Sequence, residues 1–160
     1  MRSLLALIFV LPLQVLAMQV FHLEKLMESA ERHRAPADLR KHLAADPENR
    51  AALIRCKAEK RWNLDEIEEF FASIPLSLSV EKNSFLVFPA KHCPEFFGAH
   101  SIPYWIVERQ VDGTYRELFW GTDDVVKVLD TRTKGYRDIA AQYGSDPPKS
   151  VRFTGTKYAD

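Results

Sequence analysis

Only two of the 160 residues are cysteine and only six are glycine. Two cysteines are too few for a disulfide-dense miniprotein, and so few glycines make a phosphate or dinucleotide cradle hard to place. An excess of one charge is lacking as well. Lys+Arg 22 balance Asp+Glu 22, interleaved along the chain rather than gathered into the basic stripe that a nucleic-acid partner needs. No Gly-x-Ser-x-Gly elbow, His-Glu-x-x-His helix or phosphate-binding glycine loop occurs, so no hydrolase signature is present and no cofactor is expected. The remaining composition, 46% hydrophobic and 28% charged, is that of a globular chain. Its length suits one compact domain.

The longest apolar run opens the chain. Arg2 supplies a positive start, residues 4–16 are interrupted only by Pro12 and Gln14, and Val15 and Ala17 put small side chains at the two positions a leader peptidase reads. A membrane anchor needs about 20 apolar residues, and this run is shorter. Residues 1–17 therefore read as a signal peptide, the mature chain as starting at Met18 without a membrane span, and the location as periplasmic or secreted. No cysteine follows the cleavage point, so a lipid anchor is not indicated.

Export places Cys56 and Cys93 in an oxidising compartment that favours a disulfide. Such a bridge would tie the helical region to the following sheet, and its loop-closure contribution is about 4 kcal/mol. Two buried free thiols are the alternative. A nucleophilic Cys93 beside His92 and Pro94 would need a base brought from elsewhere in the fold.

Residues 18–75 read as helical. Leu23, Leu26, Met27 and Ala30 form one stripe, and Leu39 with Leu43 forms a second after Pro36. Asp46 caps a third helix, with Pro47 at its first position, running to about residue 60. Asn63 and Glu66 pair as a cap for a fourth, with Leu64, Ile67, Phe71 and Ile74 on one face and Pro75 as its stop. The Asp46-Pro47 start also resembles the turn between tetratricopeptide repeats, but nothing repeats it at a fixed period, which excludes a solenoid.

In residues 76–160 the period changes to two. Strands are expected over 76–80, 84–88, 104–111, 115–120, 125–133, 136–141 and 151–153, with Asp112-Gly113 and Lys134-Gly135 as hairpin turns. Strands that follow helices predict an α+β fold, N-terminal helices packed on a C-terminal antiparallel meander within one compact domain.

Thr131-Arg132-Thr133-Lys134-Gly135-Tyr136-Arg137-Asp138-Ile139, followed by Phe153-Thr154-Gly155-Thr156-Lys157-Tyr158, resembles a pattern in an uncharacterised family of small secreted bacterial proteins. There a Thr-x-Thr-x-Gly-aromatic-x-Asp-aliphatic turn precedes an aromatic-x-Gly-x-x-Tyr ending. The resemblance covers residues 84–158 and implies an exported protein with this C-terminal fold. Calcium-binding propeller repeats share the strand-and-Asp-turn unit, but Asp112 offers a single carboxylate and Asp123-Asp124 stands apart, short of the 6 to 8 oxygens, roughly, that calcium takes.

Two readings of the motif follow. Gly135 and Asp138 serve as structural turn residues, the glycine at positive φ and the carboxylate accepting turn amides or pairing with Arg132 or Arg137. Alternatively Arg132, Lys134, Tyr136 and Arg137 form an exposed cluster for an acidic or carbohydrate partner. Phe96 and Phe97, in the aromatic stretch over 94–104, either plug the sheet or add a binding patch. His92, Cys93 and His100 lack the spacing of a structural zinc site, so no metal is expected. The expected function is binding, to a protein or another cell-envelope component, one version being inhibition of an envelope enzyme or toxin. The competing readings are a small secreted hydrolase using His92 or His100 with Asp138, and a structural envelope component.

Overall fold

A computed structural model describes residues 17–60, 68–96 and 101–159. Among these the chain forms β1 (Gln19–His22), α1 (Leu23–Glu28), a 3-10 turn (Ala30–Arg32), α2 (Ala37–Ala45) and α3 (Pro47–Lys60). A second 3-10 turn (Glu68–Phe70) leads into β2 (Phe71–Leu76), β3 (Ser84–Pro89), β4 (Ile102–Arg109) and β5 (Tyr115–Asp123). The chain ends in β6 (Val125–Thr133), β7 (Tyr136–Gln142), β8 (Lys149–Phe153) and β9 (Tyr158–Ala159). No described helix is long and apolar enough to cross a membrane.

The architecture corrects the α+β expectation. The strands divide into two antiparallel sheets, ordered β1-β6-β7-β8-β9 and β2-β3-β4-β5, and the helices are short. The corner between β5 and β6 shows why no single meander forms. Asp124 donates its N–H to the Gln142 carbonyl and accepts from the Leu23 N–H, each at 2.9 Å. That backbone pairing seats β1 against β6, with Gln19 opposite Val128 and His22 opposite Val125, so the edge β5 would need is taken.

A second correction falls on residues 71–76, expected as the end of a helix. They pair with β3 from Phe71↔Pro89 to Leu76↔Ser84. Ala72, Ile74 and Leu76 enter the core between the sheets, while Phe71 enters the core on the other face. Apolar residues on both faces satisfy a helical and a strand reading alike, and tertiary pairing decides. Pro75 is tolerated because β2 is an edge strand. The proposed cap at Asn63 and the positions of Leu64 and Ile67 lie outside the described residues.

Sheet β2-β3-β4-β5 is sandwiched. Tyr104, Ile106, Leu86 and Phe88 face the other sheet and meet Val126, Val128, Ile139 and Val151. Trp105, Val107 and Val87 point the opposite way, onto Leu39, Leu43, Leu53 and the Cys56–Cys93 bridge. Burial on both faces is why β3 and β4 read as near-continuous apolar runs. Asp46 does cap α3: its Oδ1 accepts from the Glu48 and Asn49 N–H groups, each at 3.0 Å. The disulfide joins α3 to the segment after β3 with Cα atoms 5.5 Å apart, within the range such a bond requires.

Candidate binding surface at the loop end

The two-residue turn between β6 and β7 has positive φ at both positions, Lys134 at 51° and Gly135 at 85°. This is the backbone of a type I′ hairpin, whose twist matches the strands it joins. Glycine takes the second position without a Cβ cost. Around this turn one end of the sandwich is assembled from loops. Arg137 donates its N–H to the Leu78 carbonyl at 2.9 Å, and Arg109 donates to Asn83 at 2.9 Å. Lys134 Nζ donates to the Thr154 carbonyl. Segments 77–83, 110–114, 134–135 and 154–157 therefore lie at one end.

Beneath this surface is a buried carboxylate. Glu108, at 0% exposure, takes Arg116 Nη2 and Gln110 Nε2 on Oε1, each at 3.0 Å, and the Tyr136 hydroxyl on Oε2 at 2.5 Å. A buried charge persists only when paired and hydrogen-bonded in this manner. The Tyr136 ring stacks on Phe153 with centroids 4.0 Å apart, and Phe153 meets Tyr158 edge-on. Burial, then the hydrogen bond from Tyr136 to Glu108 and that carboxylate's charge, pushes the Tyr136 phenol up to about 12. Burial, then the charges of Asp138, Tyr136 and Glu108, raises the Tyr158 phenol as well. Its hydroxyl donates to the Arg137 carbonyl at 2.7 Å.

The residues singled out in the motif have separate fates. Tyr136 and Lys134 line a groove of about 350 Å³ with Gly135, Ser79, Val80, Glu81 and Lys82. Arg132 is exposed, but its Nη1 donates to the Gly135 carbonyl at 3.0 Å and braces the turn. Arg137 is 1% exposed and thus is not part of the surface cluster. β6 and β7 fall out of register between Val128 and Arg132, and the Arg137 guanidinium donates to the carbonyls of that irregular stretch: Nε to Leu129 at 2.7 Å and Nη2 to Val128 at 3.3 Å. Its ion-pair partner is Asp130, at 2.9 Å. Asp138 is buried, with Oδ1 lacking a hydrogen bond. Phe96 packs between Phe70 and Trp105, with centroids 5.0 and 5.9 Å away, on the helix side of the sheet. Phe97 and His100 lie outside the described residues.

Among the described residues, His92 and Asp138 do not come together as the hydrolase reading would require. Asp138 sits on β7 near the loop end, whereas His92 follows the far end of β3, beside Cys93 in the core under the helices. Sequence reading missed Glu108, Gln110 and Arg116. The signal available was a glutamate ending the apolar run 102–107, where alternation alone assigns it to the face of Tyr104 and Ile106. The loop tips were missed too. Val80 is 84% and Val111 96% exposed, each at the crest of a loop at this end. Comparison with known proteins found no family model, curated protein or solved structure that matches the chain.

Proposed function

We propose that this chain is a small exported binding protein of the cell envelope, engaging a protein partner through the loop end of its sandwich. The observation that carries the reading is the pair of apolar tips, Val80 and Val111, standing exposed at one end of the molecule, with Lys82 and Lys134 lining a groove beside Val80 and Arg132 bracing the Lys134-Gly135 turn. Loops held by a rigid scaffold are the usual seat of recognition, and apolar side chains rimmed by charge suit a protein surface. The bracing of the turn by Arg132 and Lys134 supports a preorganised surface that loses little freedom on binding. Inhibition of an envelope enzyme or toxin is the version that suits a small protein with a stapled core. The resemblance of residues 84–158 to small secreted proteins agrees with the location.

Capture from an envelope fraction with the mature chain tests this, using an unrelated exported protein as control. Val80→Asp with Val111→Asp should abolish recovery of the partner while leaving the melting temperature within about 2 °C, since neither side chain is packed. Undiminished capture by the folded double variant would refute the loop end as the recognition surface.

A further inference from the structure

The bond expected to be cut by the leader peptidase, Ala17–Met18, adjoins the folded body. The Ala17 carbonyl accepts from Arg137 Nη2 at 3.2 Å, the same buried guanidinium that holds Val128, Leu129 and Asp130. One residue beyond the bond, β1 begins. Gln19 pairs opposite Val128, and its side-chain Oε1 accepts the Ser77 N–H at 3.1 Å. Phe21 packs against the core between the sheets, and Leu23 is fixed to Asp124 by its backbone N–H. The bond itself is exposed, but a β7 side chain holds the carbonyl before it and pairing with β6 fixes the chain from one residue after it.

A leader peptidase takes several residues on either side of its bond in extended form into its own groove, and those residues must be free of other backbone pairing. We propose, on the basis of the export reading, that Ala17–Met18 is a processing site open only before β1 docks, and that docking closes it. Cleavage therefore precedes completion of the fold. The chemistry is hydrolysis: the water oxygen bonds to the Ala17 carbonyl carbon, the C–N bond breaks, and Ala17 leaves with the leader as a carboxylate. The Met18 nitrogen, having taken both of the water's protons, becomes an ammonium. That new charge arises one bond from the carbonyl that Arg137 held, and Arg137 keeps Asp130, whose side chain is 66% exposed, as its own counter-ion at 2.9 Å. Arg137 keeps its bonds to Val128, Leu129 and Asp130 after the Ala17 acceptor is gone.

The test compares cutting of two substrates by a purified leader peptidase in detergent. One is the full-length precursor, folded and oxidised; the other is a peptide of residues 8–26. Mass spectrometry reads the new N-terminus. The peptide should be cut at Ala17–Met18 and the folded precursor at least about tenfold more slowly, because proteolysis of a closed site tracks the population of its open form. The precursor's rate should rise with urea as the edge strand opens. Equal rates for the two substrates would overturn the sealing. If the peptide itself is not cut between Ala17 and Met18, the export reading falls and the proposal falls with it.

Discussion

Tyr136→Phe is the most direct probe of the buried network. The substitution keeps the ring that stacks on Phe153 and deletes the hydroxyl that donates to Glu108 Oε2 at 2.5 Å. Arg116 and Gln110 both donate to Oε1, so a buried charged oxygen loses the donor it has. Hydrogen bonds to charged groups contribute about 1.5–3 kcal/mol, and the stranded acceptor puts the expected loss toward the upper end. For a chain of this length that is roughly 5–10 °C in melting temperature. Urea denaturation of the purified protein, followed by tryptophan fluorescence and fitted with a common slope, gives the number. Glu108→Gln supplies the second arm of a double-mutant cycle. In that background the acceptor is neutral, and Tyr136→Phe should cost only about 0.5–1.5 kcal/mol. Equal costs in both backgrounds, or a loss below about 0.5 kcal/mol in the wild type, would refute the assignment of Glu108 as a buried carboxylate held by this phenol.

The same network predicts the response to alkali. The Tyr136 phenol stands at about 12 in the folded protein against 10.0 ordinarily. Its contribution is therefore complete below about pH 10 and is lost as pH rises toward 12, where the unfolded chain ionises first. The buried phenols of Tyr104 and Tyr158, also raised, act in the same direction. A stability profile from pH 8 to 11.5 should fall at its alkaline end, less steeply in Tyr136→Phe. Gly121→Ala should destabilise by about 1–3 kcal/mol in the same denaturation assay, because a Cβ there would meet the Tyr104 hydroxyl at 2.8 Å and Phe119 at 2.8 Å. Gly135→Ala should cost about 1 kcal/mol through its φ of 85°, with partner capture unchanged in the folded fraction. Replacing Cys56 and Cys93 by alanine, 37 residues apart, should remove about 2–4 kcal/mol; non-reducing peptide mapping of the native protein should recover the two peptides joined.

The sequence by itself determined the features that rest on local chemistry. Asp46 followed by Pro47 determines where α3 starts, because the cap needs only a side-chain oxygen within reach of the next amides. Lys134-Gly135 determines a two-residue hairpin because few residue pairs accept positive φ twice, and β6 and β7 follow from the alternation on either side. The two cysteines determine a single possible pairing.

What depends on distant partners was decided by the tertiary structure. The four residues of β1 carry no strand signal strong enough to separate them from the helical stripe beside them, and they become a strand because β6 offers an edge. Residues 71–76 satisfy two periodicities, and β3 chooses between them. The division into two sheets follows from β1 taking the edge of β6, a contact spanning more than a hundred residues. The candidate surface was divided in the same way. Arg137 looks like its neighbours Arg132 and Lys134 in sequence, yet the lost register between Val128 and Arg132 leaves carbonyls that a guanidinium can fill, and this takes Arg137 inside. Glu108 stays buried as a charge because β5 brings Arg116 and β7 brings Tyr136 to it, and no local pattern encodes a meeting of three strands from two sheets.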